Sequence, residues 1–361
     1  MDNSLNDVIA AFRFDSVPVT CENFGSGHVN RTYLVNAQSG TRYVLQKLSN
    51  AAFNDVPALM ENVVTVTEFI ASQSDDDRAT LHFIPVSDGK YYYMDSSGDY
   101  WRCYRFVEDS ICLDLAESPE DFYQCAVAFG SFQKLLSAFP AESLHETIPD
   151  FHNTPDRYRK FHLSLDADVL GRRHTCEDEI AFVLEREQMA AALQIMRNNA
   201  ELPVRVTHND TKLNNVLFDA ETRKALCVID LDTVMPGLIA YDFGDAIRFG
   251  ASTALEDEKD LSMVSMSLEL FDAFTRGYLD SCAGLTKKEI DSLALGAKII
   301  TLEIGLRFLT DYLDGDVYFA IDYPEHNLVR ARTQFKLVSD MEQKWDKMLE
   351  IVDFEAKRHS P

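Results

Sequence analysis

Two short apolar runs separated by a polar loop constrain the fold more than any other stretch of this chain. Residues 216–218 and 225–229 flank a stretch whose length is typical of a β-hairpin loop. An antiparallel hairpin brings the residue before its first strand opposite the residue after its second strand. A turn at the middle of the loop pairs Asn215 with Asp230. The polar residues at both ends of the hairpin are therefore expected to share one site.

The polar residues around this hairpin have the types and spacing of a phosphoryl-transfer site. His208, Asp210 and Asn215 form an H-x-D-x-x-x-x-N pattern before the hairpin, and Asp230 follows it. In kinases an aspartate takes the proton of the attacking hydroxyl, an asparagine five residues later binds magnesium, and a second aspartate joins the metal to the nucleotide phosphates. The pattern predicts Asp210 as the catalytic base, with Asn215 and Asp230 as magnesium ligands.

Three neighbouring residues allow more than one interpretation. Strand alternation places Asp232 on the same face as Asp230, where it is either a second ligand or a solvated neighbour. Lys212 is predicted to reach the transferred phosphoryl group and offset its charge, and the alternative is an exposed loop lysine. Asp242 begins a literal Asp-Phe-Gly string, but it lies a further loop beyond the hairpin. We expect Asp242 to brace the catalytic loop instead of binding the metal.

The charge of the chain narrows the classes of partner. A formal net charge of -25 over 361 residues argues against nucleic acid and anionic membranes, since both need a basic surface. The same charge repels ATP at long range, so magnesium and local cations are expected to bind it. The sequence contains no apolar run long enough for a membrane helix, and its seven cysteines are scattered without C-x-x-C pairs. A soluble, cytoplasmic protein is the expectation, and the oligomeric state is left open.

The chain is expected to form an α+β, bilobal, protein-kinase-like fold. Residues 1–108 read as a small, strand-rich lobe that covers the nucleotide, and residues 109–361 as a larger, mainly helical lobe that carries the catalytic hairpin. Strands are expected at 31–35, 42–45, 90–94 and 100–106, with one helix near 55–72. Further helices are expected at 118–139, 176–198, 255–281, 287–314 and 327–351, the first and fourth with capping signals at their starts.

A glycine-containing loop precedes the strand predicted at 31–35. Gly25, Ser26 and Gly27 are predicted to bring backbone amides close to nucleotide phosphates, as a strand-turn-strand loop does in kinases. A Gly-x-Gly turn alone is more often an ordinary hairpin turn, so this prediction depends on the downstream motif. His28, in the same loop, is a candidate for contact with the acceptor.

Four strings in the chain resemble one family. They are Gly25-x-Gly27-x-x-Asn30, residues 206–215, residues 229–237 and residues 241–250. Together they resemble the aminoglycoside phosphotransferase/choline kinase superfamily, and within it the N-acetylhexosamine 1-kinases. The resemblance runs along essentially the whole chain and includes residues 306–309 and 315–319.

The resemblance implies ATP, magnesium and an acceptor that is a small neutral amino sugar. It implies phosphorylation of the anomeric hydroxyl of N-acetylglucosamine or N-acetylgalactosamine. By matching motif, the sugar pocket contains Asp210, His28, Phe249, Arg307 and Tyr318. For Arg307 an alternative is an ion pair with the glutamate or aspartate four residues away on either side. For the aromatic residues the alternative is an ordinary place in the core.

One position departs from the superfamily pattern. Gln46 stands on the third strand where members commonly carry Lys or Arg to hold phosphates, and the adjacent Lys47 points to the opposite face. Phosphate binding is then expected to depend on magnesium, the loop amides and Lys212. No glutamate is a clear partner, since Glu61 is one of several acids nearby. Two alternatives therefore stay open: a same-fold kinase for choline, homoserine, methylthioribose or an aminoglycoside, and a non-catalytic nucleotide- or sugar-binding module.

Overall fold

The computed structural model describes residues 3–25, 30–50, 53 and 55–359, and the chain divides into two compact units. The first unit comprises Met1–Cys112, Ala138–Pro149 and Val216–Met235. The second unit comprises Leu113–Ser137, Asp150–Asn215 and Pro236–Pro361. Each unit draws on segments that are far apart in the sequence.

The secondary structure is strand-rich in the first third of the chain and mainly helical after it, which confirms the α+β prediction. The strands are β1 (Pro18–Asn23), β2 (Arg31–Ala37), β3 (Arg42–Lys47), β4 (Tyr93–Met94), β5 (Tyr100–Arg105), β6 (Ser110–Cys112), β7 (Arg205–Thr207), β8 (Val216–Asp219), β9 (Ala225–Val228) and β10 (Met235–Gly237). The helices are α1 (Asn3–Ala11), α2 (Val56–Gln73), α3 (Pro119–Leu135), α4 (Thr154–Ala167), α5 (Glu177–Leu184), α6 (Glu187–Ala190), α7 (Ala192–Asn198), α8 (Ile239–Gly250), α9 (Leu268–Ser281), α10 (Lys287–Asp314), α11 (His326–Gln343) and α12 (Trp345–Arg358). Short 3-10 turns lie at Ala141–Ser143, Arg173–Thr175, Leu213–Asn215, Leu231–Thr233 and Leu261–Met263.

An antiparallel sheet with the strand order β1-β2-β3-β5-β4 forms the centre of the first unit. Alternate side chains on one face of the sheet pack with helix α1 into an apolar core. This core contains Val8, Ile9, Phe12, Val35, Tyr43, Leu45, Trp101 and Cys103. Because neighbouring side chains of a strand point to opposite faces, Gln46 and Arg102 lie on the other face, where they are cross-strand partners.

Helix α2 is hydrogen-bonded to the segment that follows the hairpin, and both belong to the first unit. Asp55 caps the start of the helix, because its carboxylate accepts a hydrogen bond from the backbone N–H of Ala58 at 3.0 Å, and a proline lies in the first turn. Its buried Asn62 donates to the backbone oxygens of His145 at 2.8 Å and Val234 at 3.0 Å. The side chain of Asn62 therefore ties three separate segments together.

The predicted hairpin is present as β8 and β9, but its register differs from the prediction by one residue. Val216 pairs with Val228, whereas a turn at the middle of the loop would pair it with Ile229. The inner pair of Phe218 and Ala225 is two residues away from the predicted register, because the turn is centred one residue earlier than the middle of the loop. The irregularity between Leu217 and Phe218 then reduces the difference to one residue. Strand β9 ends at Val228, so strand alternation does not govern the orientation of the residues after Ile229. The expected pairing of Asn215 with Asp230 was therefore wrong in its register.

Helices dominate the second unit. Helices α3 and α10 both begin with capping boxes, Ser118 with Asp121 and Thr286 with Glu289, in agreement with the predicted starts. Helix α8 packs closely against α10 through Gly244 and Gly296. A β-carbon added at Gly296 would lie 2.2 Å from the backbone oxygen of Ala240. These glycines allow the two helix backbones to approach each other more closely than larger residues would.

Three predicted helices have different boundaries. The segment 176–198 forms three short helices, which lets Ile180 and Val183 pack into one apolar cluster and Leu193 into another. Helix α9 begins only after its capping residue Ser267, because the charged stretch at 255–264 is irregular. The segment 327–351 is divided at Lys344 into α11 and α12.

Some elements were missed at the sequence level. Helices α1 and α4 were not predicted, and the strand predicted at 90–94 is reduced to β4. In the parts of the chain that the structure describes, no helix combines the length and apolar character needed to cross a membrane.

Candidate functional site

The catalytic loop of the second unit follows β7 and turns sharply at Asn209. Asn209 has a φ of 64°, the left-handed region in which Asn is tolerated better than most residues. His208 is fully buried, with its ring against those of Phe129 and Phe132. Its Nδ1 accepts a hydrogen bond from the backbone N–H of Asp210 at 3.2 Å. The buried His208 therefore stabilises the conformation of the loop by accepting a backbone hydrogen bond.

Asp210, Lys212 and Asn215 come together in this loop. The Nζ atom of Lys212 lies 2.8 Å from Oδ1 of Asp210, and Nδ2 of Asn215 donates to Oδ2 of Asp210 at 3.1 Å. Burial acts to raise the pKa of Asp210, but the charge of Lys212 and the hydrogen bonds outweigh it, so the pKa lies below its ordinary value. The lowered pKa keeps the carboxylate ionised, and its 30% exposure makes it accessible, as a general base must be.

Lys212 is not a free surface lysine. Burial acts to lower its pKa, but Asp210 and then Asp245 outweigh burial and raise it. The ammonium group therefore stays charged beside the candidate base. A fixed positive charge at this position suits the stabilisation of a phosphoryl group in transfer.

Helix α8 holds the catalytic loop by its backbone amides. The carboxylate of Asp242 accepts hydrogen bonds from the N–H groups of His208 at 2.9 Å and Asn209 at 2.8 Å. Asp242 thus braces the loop, as the sequence predicted. Asp245, one helical turn later, accepts the N–H of Thr211 at 3.0 Å.

Asp245 and Arg248 support the catalytic loop, and the sequence interpretation did not identify them. Nε and Nη2 of the buried Arg248 donate to Oδ1 of Asp245 at 3.0 and 2.9 Å, and Nη1 binds Glu256 at 2.7 Å. The available signal was the spacing of Asp242, Asp245 and Arg248, which puts three charged residues on one face of a helix that is otherwise apolar. A charged stripe facing the core requires partners, and here the partners are loop amides and one another.

The segment after the hairpin belongs to the first unit and is strained at Asp230. Asp230 has a φ of 58° and a ψ of 54°, a left-handed conformation. Asp232 is buried and forms an ion pair with Arg102, while Nδ2 of Asn30 donates to it at 2.7 Å. Asp232 is therefore not a solvated neighbour of Asp230, and one of its two predicted roles is excluded.

The structure shows what surrounds the exceptional glutamine on the third strand. Gln46 accepts a hydrogen bond from Nε of Arg102 at 2.9 Å. Lys47 lies on the opposite face, where its Nζ is 2.5 Å from Asp99, so it does not take the place of a basic residue at position 46. Glu61 pairs with His145 on the surface at 3.0 Å.

Only part of the predicted glycine loop lies in the described residues. Gly25 has a φ of 77°, a conformation that L-residues with a side chain rarely adopt. Ser26, Gly27 and His28 lie outside the described residues. Their predicted contacts with phosphate and acceptor stay predictions.

Arg307 and Tyr318 contact each other in the second unit. Nη2 of Arg307 lies 3.4 Å from the hydroxyl of Tyr318, and the guanidinium is 5.4–5.7 Å from the ring centroids of Phe151, Tyr318 and Phe319. Burial, followed by the nearby Arg157, lowers the pKa of Arg307. Within the described residues Arg307 has no carboxylate partner.

The two acids that were expected to neutralise Arg307 have other partners. Glu303 accepts hydrogen bonds from His152 at 2.9 Å and Thr154 at 2.6 Å. Asp311 accepts the backbone N–H groups of residues 317–319 at 2.8–3.0 Å. The i,i+4 ion pair considered from the sequence is therefore not formed.

Phe249 lies in a different place. It is half-buried and lines a cavity of about 340 Å³ together with Leu213, Arg248, Leu255 and Gln334. Neither Arg307 nor Tyr318 lines this cavity. Of the five predicted sugar-pocket residues, the structure brings Arg307 and Tyr318 into contact and places Phe249 at a different cavity.

The residues available for a metal ion are oxygen donors. Nδ2 of Asn215 is engaged by Asp210, and its Oδ1 accepts no hydrogen bond from any described residue, which leaves this oxygen for a cation. The described residues contain no group of three or more His, Cys, Asp or Glu side chains placed to hold a metal. Asn215 in the second unit offers an amide oxygen and Asp230 in the first unit offers a carboxylate, and both are donors of the kind that magnesium prefers.

Comparison with known proteins gives the family of the chain and a common fold. Residues 20–278 match the model of the APH family, described as the phosphotransferase enzyme family. Among solved structures, a microcompartment-associated aminopropanol kinase has 15% identity and a TM-score of 0.65, with 95% of this chain and 97% of that chain covered. Choline kinase from Cryptosporidium parvum Iowa II has 14% identity and a TM-score of 0.57, with coverages of 93% and 92%.

A third structure contains ligands. Amicoumacin kinase hAmiN, in complex with AMP-PNP, Ca²⁺ and Ami, has 11% identity and a TM-score of 0.59, with 93% of both chains covered. At these identities the solved structures establish a common kinase-like fold, whereas the family match covers well over half of the chain. The chain belongs to the APH phosphotransferase enzyme family.

Proposed function

We propose that this protein transfers the γ-phosphoryl group of ATP to the anomeric hydroxyl of an N-acetylhexosamine, giving the sugar 1-phosphate. The observation that carries the phosphoryl-transfer part is the loop in which Asp210 is ionised, accessible and held by Lys212 and Asn215. In this proposal residues 1–108 form the nucleotide-covering lobe, and residues 109–361 form the lobe that binds the acceptor.

Each step of the reaction has a named group in this chain. The carboxylate of Asp210 takes the proton of the hydroxyl at carbon 1 as the new O–P bond forms and the bond between the γ-phosphorus and ADP breaks. Lys212 offsets negative charge on the transferred group. Asn215 and Asp230 would hold magnesium, which supplies neutralisation of the phosphate oxygens when it is bound.

The choice of acceptor is supported by the surroundings of Arg307. A guanidinium without a carboxylate partner has hydrogen-bond donors available for hydroxyl and carbonyl oxygens, and rings beside it suit the apolar face of a sugar. Arg157 lies nearby and donates to the backbone oxygen of Phe151 at 2.7 Å. Two guanidinium groups around one phenylalanine disfavour a cationic acceptor at this place and favour a neutral one that is rich in oxygen atoms.

We therefore propose that Arg307 and Tyr318 contact the sugar. For His28 and Phe249 a contact with the acceptor is proposed on the family resemblance alone. The motifs of the sequence remain the reason for choosing N-acetylhexosamines. An amino-alcohol acceptor is the main alternative, because the strongly acidic chain would attract a cation at long range.

A coupled assay of ADP release with a panel of acceptors tests the proposal. N-acetylglucosamine and N-acetylgalactosamine should be turned over in a magnesium-dependent reaction with loss of the reducing end, while choline, homoserine, methylthioribose and an aminoglycoside should not. Turnover of choline without turnover of either hexosamine would refute the acceptor assignment. Absence of ADP formation with every acceptor would favour the non-catalytic alternative.

The substitution Asp210→Asn tests the base. It should lower kcat by roughly 10²- to 10⁴-fold, the usual contribution of a general base, while sugar and nucleotide binding change little. Asp291→Asn, on an exposed turn of α10, is the matched control and should leave kcat unchanged. Near-normal turnover by Asp210→Asn would exclude the assignment of Asp210.

A further inference from the structure

A row of polar side chains crosses one face of the sheet in the first unit. Thr32 on β2, Gln46 on β3 and Arg102 on β5 are successive cross-strand partners. Nε2 of Gln46 donates to Oγ1 of Thr32 at 3.2 Å, and Oε1 of Gln46 accepts from Nε of Arg102 at 2.9 Å. Both ends of the Gln46 amide are thus engaged, which orients Arg102 firmly.

The far end of this row is Asp232. The side chains of Arg102 and Asp232 are 3% and 5% exposed, and they form an ion pair. Burial acts to lower the pKa of Arg102, but Asp232 outweighs it, so the guanidinium stays charged. A buried ion pair contributes little net stability, because desolvation of the two charges offsets their attraction. Stability alone is therefore a weak reason for an arginine at this position.

The guanidinium group of Arg102 has N–H donors that the described residues of the protein do not use. An arginine offers five N–H groups, and here Nε binds Gln46 while Nη1 binds Asp232. The remaining terminal nitrogen, Nη2, has no hydrogen-bond acceptor among the described residues. A charged guanidinium group with one terminal nitrogen that has no acceptor in the described part of the protein is suited to bind the oxygens of a phosphate.

The position of Arg102 also matches a need of the site. In kinases a lysine on the third strand binds the nucleotide phosphates, and position 46 of this chain is a glutamine. Lys47 is on the other face with Asp99, and Arg42, farther along the same strand, is paired with Glu108. Arg102 is adjacent to Gln46, and its row begins at Thr32, just beyond the glycine-containing loop.

We infer that Arg102, on the strand next to the third strand, binds the phosphates of the nucleotide in place of the basic residue that Gln46 replaces. Gln46 and Asp232 position the guanidinium, and Nη2 donates to a phosphate oxygen. This inference rests on the proposed kinase function, but it does not depend on the identity of the acceptor.

Titration of the substituted protein with ATP, ADP and adenosine, in the presence of magnesium, tests the inference. Arg102→Met should weaken ATP and ADP binding roughly 10- to 100-fold, as expected for a lost charge-assisted hydrogen bond. Adenosine affinity should stay within about twofold, because adenosine carries no phosphate. Lys47→Met, on the opposite face of the sheet, is the control and should leave all three affinities unchanged.

Arg102→Met leaves Asp232 as an unpaired buried charge, so a second variant guards against misfolding. In Arg102→Met/Asp232→Asn this charge is removed, and the same selective loss of ATP and ADP affinity is expected. In Arg102→Gln/Gln46→Lys the cation moves to the third strand, and part of the ATP affinity should return.

The possible failures can be told apart. Equal losses for adenosine and ATP, or no loss at all, would show that Arg102 has only a structural role. If the unchanged protein binds ATP and Arg102→Met weakens it selectively, while no hexosamine is phosphorylated, then only the acceptor assignment is wrong. If the unchanged protein does not bind ATP, both the proposed kinase function and the inference are wrong.

Discussion

The ion pair between Asp210 and Lys212 sets the proton affinity of the candidate base. Lys212 is the main group that lowers the pKa of Asp210, against the effect of burial. Lys212→Met should therefore raise this pKa. A base works only when it is deprotonated, so kcat/KM falls as the pH drops through its pKa, and the acid limb of the pH profile should move to higher pH.

Two controls separate this effect from a general loss of activity. Lys212→Arg keeps the positive charge and should keep the acid limb near its original position. Lys47→Met removes a lysine from the first unit and should not move the limb. An unchanged limb in Lys212→Met, with kcat lowered equally at every pH, would mean that Lys212 acts on the phosphoryl group and not on the base.

At the level of single residues, the sequence predicted the neighbours that belong to one short motif, because the spacing of a motif can be read directly from the chain. Asp210 and Asn215 are five residues apart, and the structure places their side chains 3.1 Å apart. Arg102 and Asp232 are 130 positions apart, and no short motif joins them. The sequence shows only that Arg102 lies in a strand with several aromatic residues, and this pattern does not indicate which residue Arg102 pairs with.

Helix α8 links packing in the second unit to the geometry of the catalytic loop. Its Asp242 and Asp245 hold the amides of residues 208, 209 and 211, and its glycine-lined face lies against α10. Any displacement of α8 away from α10 therefore moves the acceptors of the loop amides. The position of the base depends in this way on the contact between two helices.

The substitution Gly296→Ala tests this dependence. In an open helix, Gly→Ala stabilises by up to about 1 kcal/mol, but here the new methyl would lie 2.2 Å from the backbone oxygen of Ala240. We expect a destabilisation of about 1–3 kcal/mol, measured by urea unfolding, together with a lower kcat. Asp291→Ala, on the exposed surface of the same helix, should change stability by less than about 0.5 kcal/mol. A more stable Gly296→Ala protein would contradict the close approach of the helices.

Elements with strong end signals were predicted better than those without them. Helix α10 has a capping box at its start and a left-handed glycine, Gly315, at its end, and its predicted range was correct. The hairpin turn is centred off the middle of its loop and uses the left-handed Arg223, a position that no glycine marks, so the hairpin was predicted but its register was not. The division at Lys344 likewise lacks a proline or glycine that would mark it.

The charge of the whole molecule should be visible in how it binds ATP. A net charge of -25 repels an anionic nucleotide over long distances, and dissolved salt screens this repulsion. Salt screens the short-range contacts of a buried cation such as Arg102 much less. The screening length falls from about 30 Å at 0.01 M to about 8 Å at 0.15 M ionic strength. Raising the salt concentration over this range should therefore weaken the repulsion between the protein and ATP more than it weakens the attraction of ATP to buried cations.

We predict that the KM for ATP falls by a few fold as monovalent salt is raised from about 10 mM to about 150 mM at constant free magnesium. The KM of the neutral acceptor provides the internal control, because long-range charge does not act on it, and it should stay constant. The opposite trend, a KM for ATP that rises steadily with salt, would mean that exposed basic residues dominate nucleotide binding. Phosphate recognition would then have to be assigned to exposed lysines and arginines, and not to the buried Arg102.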